Sequence, residues 1–243
     1  TFRLTRVVST FGLPESVVGE KVAPIHSHFP AIKLGLRAKF PEIQVKLYLN
    51  TPEEAQGRQI LENATRWVVD QLGINVFSQH ERTLAEEVGA LLRERQATLA
   101  LAESCTGGLI GNWLTDNAGS SDYFLLSAVT YANGSKIQVL GVTPETLAQH
   151  GAVHEETARQ MARGARRLAG ATFGLATSGI AGPDGGTPEK PVGTLCIGLD
   201  GPEGTRSRTV TLSFGQRLMN KRLFAMIALD LLRRTLIEAP PQS

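Results

Sequence analysis

A serine, a cysteine and a threonine stand together at residues 104–106, followed by two glycines, where an apolar strand gives way to an apolar helix. Ligands usually bind at this edge of an α/β sheet. Free N–H groups at a helix start can hold a phosphate or a developing oxyanion, and a hydroxyl at the same turn is placed as a nucleophile. The segment therefore has two interpretations: a nucleophilic turn, or a helix cap with glycines for tight packing.

A tyrosine and a lysine lie five residues apart in a second segment, residues 130–136, where another strand turns into a helix. A serine hydroxyl is a weak nucleophile and needs a base. Lys136 can serve as that base if burial or neighbouring cations lower its pKa, with the Tyr131 hydroxyl relaying or orienting the proton. The alternative is a solvated surface lysine, because charged side chains are mostly exposed.

Glycines are dense in a third segment, residues 178–187, which again follows an apolar strand. The segment has neither the Gly-Lys-Ser/Thr ending of a P-loop nor a Gly-x-Gly-x-x-Gly pattern, so neither an ATPase nor a dinucleotide-binding site is indicated. So many glycines cost folding entropy, which favours a site of close ligand approach over a mere turn.

The composition is that of a globular protein, and its charge does not indicate a class of partner. The 243 residues exceed the usual size of one domain, 42% are hydrophobic, and 25 basic against 23 acidic residues give a formal charge of +2. This balance is far from the basic surplus of a dedicated nucleic-acid binder. Two cysteines, Cys105 and Cys196, are too few for a disulfide framework or a structural zinc site and suit a reducing cytoplasm.

The sequence has no apolar run that approaches the ~20 residues needed to span a bilayer, and it does not open with the order of a signal peptide. A membrane or secreted protein is therefore not expected. Because the chain opens at Thr1 rather than at a methionine, we expect it to be a piece of a longer polypeptide.

Alternation of apolar and charged residues predicts three N-terminal strands, over residues 1–10, 33–40 and 44–49. A helix is predicted from Thr51 as its cap, with Pro52 in its first position, through Asp70. These elements predict a small two-layer α+β domain over residues 1–79.

Strands and helices alternate in the remainder, which we expect to form a second domain over residues 80–243. Helical spacing predicts helices from about 81, at 109–114, around 135–140, at 155–168 and at about 217–237. Apolar runs predict strands over residues 98–102, 125–131, 171–177, 193–199 and 208–212. The order indicates a layered α/β/α domain, so the fold class is α/β with a small α+β domain at the N-terminus.

Together, these segments resemble the CinA family over roughly residues 82–237. The resemblance rests on Ser-Cys-Thr-Gly-Gly at 104–108, Ala-Gly-Ser-Ser at 118–121, Leu-Ala-Gln-His-Gly-Ala-Val at 147–153, Ser-Gly-Ile-Ala-Gly-Pro-Asp-Gly-Gly at 178–186 and Lys-Pro-Val-Gly-Thr at 190–194. The C-terminal domain of that family is similar to a stand-alone nicotinamide mononucleotide amidohydrolase. Residues 1–79 resemble the small KH-type domain in the middle of full-length members. Their first domain, a pyrophosphatase-type domain, has no counterpart here and is expected to precede Thr1.

The resemblance implies a role for each matching residue. Ser104 would be the nucleophile, Lys136 its base and Tyr131 their partner. The residues expected at the substrate are Cys105, Thr106, Gly107, Gly108, Ser178, Gly179, Gly182 and Arg217. A Gly-Asp-Arg of the family is Gly-Gln-Arg here, so Gln216 replaces the acid beside the arginine that could clamp a phosphate. Cys105 stays open as a rival nucleophile, because thiolates are intrinsically better.

The implied activity is hydrolysis of the carboxamide of nicotinamide mononucleotide, with N–H groups of residues 105–107 around the oxyanion and neither a metal nor another cofactor. A cytoplasmic homodimer is expected. The alternative is a fragment that binds nucleotides or nucleic acid without catalysis.

Nucleic-acid binding is not expected of the N-terminal domain, because residues 1–79 contain no Gly-x-x-Gly loop, which a KH domain uses to clamp a nucleic-acid backbone. Its basic residues are interpreted as a solvated strand face: Arg3, Arg6, Lys33, Arg37, Lys39 and Lys46. We therefore expect a structural or dimerisation unit.

Overall fold

The computed structural model describes residues 1–238, which form two compact units. Unit 1 covers Thr1–Glu87, and unit 2 begins at Val88. Both units combine a sheet with helices, which confirms the α/β class and the small α+β unit at the N-terminus.

Unit 1 is built on a four-stranded sheet in the order β2-β3-β1-β4, with every pairing antiparallel. Its strands are β1 Phe2–Thr10, β2 Lys33–Lys39, β3 Glu42–Thr51 and β4 Val76–Ser78. Its helices are α1 Glu15–Val22, α2 Ile25–His28 and α3 Glu54–Leu72, followed by a short 3₁₀ turn at Gly73–Asn75. The three predicted strands are present, whereas α2 and β4 were not predicted because each is too short to show a period.

The register of β1 and β3 explains the core of unit 1. Leu4 pairs with Leu49, and Val8 pairs with Val45. Cross-strand partners share a face of a sheet, so these residues form one apolar surface against which α3 packs.

The predicted cap of α3 is wrong. Thr51 ends β3 in extended conformation, paired with Phe2, and its hydroxyl accepts from the amide of Glu53 at 3.2 Å. The helix therefore begins at Glu54 and leaves Pro52 outside it. Strand pairing of Thr51 outweighs its preference for a cap.

Unit 2 contains a five-stranded sheet in the order β6-β5-β7-β8-β9. Its strands are β5 Leu99–Glu103, β6 Phe124–Val129, β7 Phe173–Gly179, β8 Thr194–Gly201 and β9 Gly204–Thr211. Helix α4, Leu84–Glu94, contains the boundary between the units. The helices that follow it are α5 Leu109–Thr115, α6 Asn133–Leu140, α7 Pro144–His150, α8 Glu155–Ala169 and α9 Arg217–Glu238. β5, β6 and β7 are parallel, and β8 and β9 extend the sheet in antiparallel fashion.

Helices lie on both sides of this sheet, which confirms the layered prediction. α8 packs on β5, β7 and β8, where its small residues meet Ala100, Ala102 and Ala176. A side chain on Gly174 would collide with the Ala162 carbonyl, so this glycine sets how closely α8 approaches. Glu103 follows Ala102 on β5, so its side chain lies on the opposite face of the sheet from α8. There it accepts hydrogen bonds from backbone amides of α5.

Two helix starts show local signals that set their positions. α4 begins at Leu84 rather than near residue 81, because the Thr83 and Glu86 side chains each accept the other residue's amide in a capping box. α7 was not predicted, although Thr143 caps it and Pro144 stands in its first turn. None of the helices within residues 1–238 has both the length and the apolar content needed to cross a bilayer.

Candidate active site

The three predicted segments meet at the carboxyl edge of the parallel strands in unit 2. Glu103, at the end of β5, pairs with Val129 on β6 and with Thr177 on β7. The residues that follow these three positions therefore leave the same edge of the sheet, where ligands of α/β proteins bind.

Ser104 is held in a tight turn immediately after β5. Its amide donates to the Thr177 carbonyl at 3.0 Å, and its own carbonyl accepts from the Gly107 amide at 3.1 Å. Gly107 and Gly108 both have positive φ, a backbone conformation that residues other than glycine rarely adopt. The turn leaves Ser104 about 8% exposed, so its hydroxyl lies in a largely closed environment.

Lys136 is fully buried and reaches Ser104. Its Nζ lies 3.2 Å from Ser104 Oγ, 2.8 Å from the Thr130 carbonyl oxygen and 3.1 Å from the Tyr131 carbonyl oxygen. Burial lowers the pKa of this lysine. The interpretation as a solvated surface lysine is therefore wrong.

The three oxygens around Lys136 Nζ can accept from an ammonium, and they also fit the neutral amine. A neutral amine has two N–H donors and one lone pair, whereas an ammonium has three donors and no acceptor. The carbonyls of Thr130 and Tyr131 can take the two N–H groups, which directs the lone pair at Ser104 Oγ. In the neutral form, Lys136 can accept a proton from Ser104 Oγ, which is the task of a general base.

Tyr131 contributes in a different way from the one predicted. Its carbonyl accepts from Lys136, but its hydroxyl accepts from the Arg217 guanidinium at 2.9 Å and its side chain is 62% exposed. A proton relay between Ser104 and Lys136 through this hydroxyl has no support in the geometry. Tyr131 instead links the lysine, through its backbone, to Arg217, through its side chain.

Cys105 is poorly suited to attack. Desolvation by burial raises the pKa of its thiol to about 12, and thiolate is the reactive form. Next to it, the Thr106 hydroxyl is fully buried and lies 2.8 Å from the Thr177 hydroxyl. Both side chains therefore pack the turn, and only their backbones can face a ligand.

Amides in the turn divide into occupied and free groups. Gly107 donates to the Ser104 carbonyl, and Gly108 donates to the Glu103 carboxylate at 3.0 Å. Within residues 1–238, no acceptor oxygen is found for the amides of Cys105 and Thr106. The predicted oxyanion donors are thereby corrected, since the Gly107 amide is already engaged.

The glycine-rich segment is anchored along its first half. Ser178 donates its hydroxyl to the Ala152 carbonyl at 2.7 Å, so this side chain holds the loop rather than facing Ser104. A side chain on Gly179 would meet the Thr194 carbonyl and Cys105 Sγ, so glycine permits this close packing. Gly182 accepts from Arg217 at 2.6 Å.

Lys221 is a site residue that the sequence analysis missed. A Cβ on Gly107 would lie 3.4 Å from Lys221 Nζ, so this ammonium sits over the turn that carries Ser104. Lys221 follows Arg217 by four residues on α9, which places both cations on one face of the helix. Neither forms an ion pair with a described carboxylate. The helical spacing from Arg217 was the available signal.

Metal ligands are not gathered in the described part of the chain. Residues 1–238 contain no group of three or more His, Cys, Asp or Glu side chains that could hold an ion.

The fold and site define a two-unit α/β protein with a serine and a buried lysine in contact at the edge of a parallel sheet. The chain belongs to the CinA family: residues 81–236 match the CinA C-terminal domain, and residues 5–78 match the KH domain of damage-inducible protein CinA. The predicted resemblance is confirmed for both parts of the chain.

Curated relatives align with nearly the whole chain. A CinA-like protein of Desulfosudis oleivorans is 55% identical over 236 residues, covering 97% of this chain and 57% of its own length. One from Geobacter metallireducens is 42% identical over 233 residues, covering 96% of this chain and 56% of its own length. The chain thus spans about half the length of the curated relatives it matches.

Solved structures resemble part of the chain. The competence/damage inducible protein CihA of Agrobacterium tumefaciens is 38% identical with a TM-score of 0.61, covering 64% of this chain and 94% of that one. The competence damage-inducible protein A of Klebsiella pneumoniae is 33% identical with a TM-score of 0.62, covering 65% of this chain and 97% of that one.

Proposed function

We propose that unit 2 hydrolyses the carboxamide of nicotinamide mononucleotide to nicotinic acid mononucleotide and ammonia. The observation that carries this proposal is the contact between Ser104 Oγ and the buried amine of Lys136, whose other two partners are backbone carbonyls. A hydroxyl next to a base of lowered pKa is the arrangement that acyl transfer requires.

The reaction proceeds in two stages. Lys136 takes the proton from Ser104 Oγ as this oxygen attacks the carboxamide carbon. The protonated lysine then gives the proton to the departing nitrogen, which leaves as ammonia, and a serine ester of the pyridine carboxylate remains. Water, deprotonated by the same amine, attacks this ester, and collapse of the second intermediate returns the proton to Ser104.

Hydrogen bonds from the amides of Cys105 and Thr106 stabilise the negative charge that develops on the carboxamide oxygen. Both amides belong to the turn that presents Ser104, and neither donates to an oxygen acceptor within the described residues. Donors fixed in place before the reaction stabilise an oxyanion without reorganisation, which is why such groups contribute strongly to catalysis.

Cations at the start of α9 recognise the 5′-phosphate. Arg217 is held by Tyr131 and Gly182, and Lys221 adds a second positive charge over Gly107. A phosphate with two negative charges gains from both cations, whereas the cationic pyridinium ring does not. The substrate therefore places its phosphate toward α9 and its carboxamide toward Ser104.

The remaining expectations complete this proposal. The reaction needs neither a metal nor another cofactor, and the protein works as a cytoplasmic homodimer. The KH-type domain, proposed to end at residue 79 within unit 1, serves as a structural or dimerisation unit.

Product analysis tests the proposed function. Purified protein incubated with nicotinamide mononucleotide should release ammonia and nicotinic acid mononucleotide in equal amounts. Nucleotide binding without either product would favour the alternative, a fragment that binds nucleotides without catalysis and belongs to a longer enzyme.

A further inference from the structure

Glu103 is a buried acid that the proposed reaction does not use. It is fully buried at the end of β5, directly before Ser104. Its Oε2 accepts from the amides of Gly108 at 3.0 Å and Ile110 at 3.1 Å. Its Oε1 accepts from the Gly111 amide at 2.8 Å and from the Ser127 hydroxyl at 3.3 Å.

The carboxylate thus fills the amino end of α5. The first amides of a helix have no partner within it and attract negative charge, so they are a ready site for an anion. Here the protein supplies that anion itself, and three of the amides are no longer free for a substrate group. The start of α5 therefore does not bind the substrate phosphate.

The Glu103 carboxylate explains why two positions next to it, Gly108 and Gly111, are glycines. A Cβ on Gly111 would lie 3.4 Å from Glu103 Oε1 and 3.0 Å from Ser127 Oγ. Gly108 has φ of 90° and turns its amide toward the same carboxylate. Glycines at these two places let one acid reach three amides.

The same contacts fix the nucleophilic turn from both ends. Ser104 follows the acid directly, and Gly108 closes the turn on the acid's own side chain. Between them, the Gly107 amide bonds to the Ser104 carbonyl, whereas the amides of Cys105 and Thr106 donate to no oxygen acceptor within residues 1–238.

We infer that Glu103 is a positioning residue for catalysis: its carboxylate holds the turn of residues 104–108 in the geometry that aims Ser104 Oγ and the two free amides at the substrate. This inference rests on Ser104 being the nucleophile of the proposed function. A displacement of about 1 Å at a reacting group can lower a rate about 10²-fold, so the turn requires such an anchor.

Glu103→Gln tests the inference with little change in volume. The amide NH₂ must replace either Oε1 or Oε2, and each of these oxygens accepts from at least one backbone N–H. One N–H therefore faces another N–H in either orientation, and the turn loses an anchor.

Asp230→Asn is the matched control. Asp230 is also a buried carboxylate of unit 2, and it accepts from Arg233 at 2.8 Å and from Arg234 at 2.7 Å. It lies thirteen residues after Arg217 on the same helix, about 20 Å along its axis. Both variants should lower Tm by several degrees, because each leaves buried donors unsatisfied.

Three readouts separate positioning from a loss of stability. In Glu103→Gln, kcat for ammonia release should fall about 10²-fold with KM little changed, and labelling of Ser104 by a fluorophosphonate should slow in parallel. Amide hydrogen exchange in residues 104–114 should accelerate at least about tenfold. In Asp230→Asn, all three should stay within about threefold of the unsubstituted protein.

The inference is overturned if kcat, or the labelling rate, of Glu103→Gln stays within threefold of the unsubstituted protein, or if the two variants lose activity equally. Failure of the unsubstituted protein to release ammonia would refute the proposed function instead, while labelling and hydrogen exchange would still decide the role of Glu103. Should Glu103→Gln not fold, Ser127→Ala removes one donor to Oε1 and should lower kcat several-fold at nearly constant Tm. Unchanged kcat in that variant would then overturn the inference.

Discussion

Lys136→Ala removes the amine on which the proposed chemistry depends. Loss of a general base lowers kcat by about 10²-fold or more, whereas KM should change little because the proposed phosphate contacts on α9 are retained. The carbonyls of Thr130 and Tyr131 lose their donor, at about 1–3 kcal/mol for each unsatisfied buried group. Relief from burying an amine offsets part of this cost, so a domain of ordinary stability should remain folded.

The lowered pKa of Lys136 sets the direction in which stability and activity should change with pH. The unfolded chain keeps the proton on the lysine up to its ordinary pKa of 10.5, and burial makes folded Lys136 lose it at lower pH. Folding therefore releases a proton in that window, and the contribution of this group to stability grows as the pH rises toward 10.5. For catalysis, kcat/KM should rise with pH as the neutral amine forms, with an apparent pKa below 10.5.

Rates of ammonia release across the pH range, for the unsubstituted protein and for Lys136→Ala, provide the assay. A small primary amine added to the alanine variant should restore part of kcat by entering the vacated space. The reasoning is refuted if the variant keeps more than about a tenth of kcat, or if its pH profile matches that of the unsubstituted protein.

Three further predictions concern the neighbouring groups. Cys105→Ala should keep kcat within a few-fold, because the thiol pKa of about 12 leaves almost no thiolate near pH 7; inactivity of this variant together with full activity of Ser104→Ala would move the attack to sulfur. Arg217→Ala and Lys221→Met should each weaken binding of the mononucleotide, by ~2 kcal/mol or more for the arginine. Lys221→Met should leave turnover of nicotinamide riboside, which has no phosphate, unchanged. Equal losses on both substrates would exclude a phosphate contact for the substituted residue. Activity should survive extensive dialysis against EDTA, since the site groups form no ligand set, and restoration of lost activity by zinc or cobalt would contradict a serine mechanism.

Periodicity was sufficient to predict most of the fold. Most strands of both sheets and the long helices follow from apolar spacing, whereas only the segment after β5 was predicted to lie at a sheet edge. Short elements such as α2 and β4 lack a period and were missed. Thr51 shows a further limit, because a residue suited to a cap was used by a strand instead.

Contacts within the candidate site could be predicted only in part from residue type and order. Ser104 and Lys136 meet as expected, but a sequence does not show which atoms a side chain contacts. The Tyr131 hydroxyl therefore accepts from Arg217 and not from the groups expected. The Glu103 carboxylate accepts from the Gly108 amide, which was expected to face the substrate. Helical spacing puts Lys221 on the same face of α9 as Arg217, but its approach to Gly107 depends on the packing of α9 on α5, a tertiary contact that local sequence does not encode.

Ammonia release from nicotinamide mononucleotide, measured side by side for the unsubstituted protein and Ser104→Ala, tests the central claim most directly. Ser104→Ala removes one oxygen and one contact to Lys136, at a cost of about 1 kcal/mol, so an unchanged circular dichroism spectrum should show that the fold survives. We predict steady ammonia release by the unsubstituted protein and none above background by the variant. Equal rates in the two proteins, or no ammonia from either, would contradict the assignment of Ser104 as the nucleophile of a nucleotide amidase.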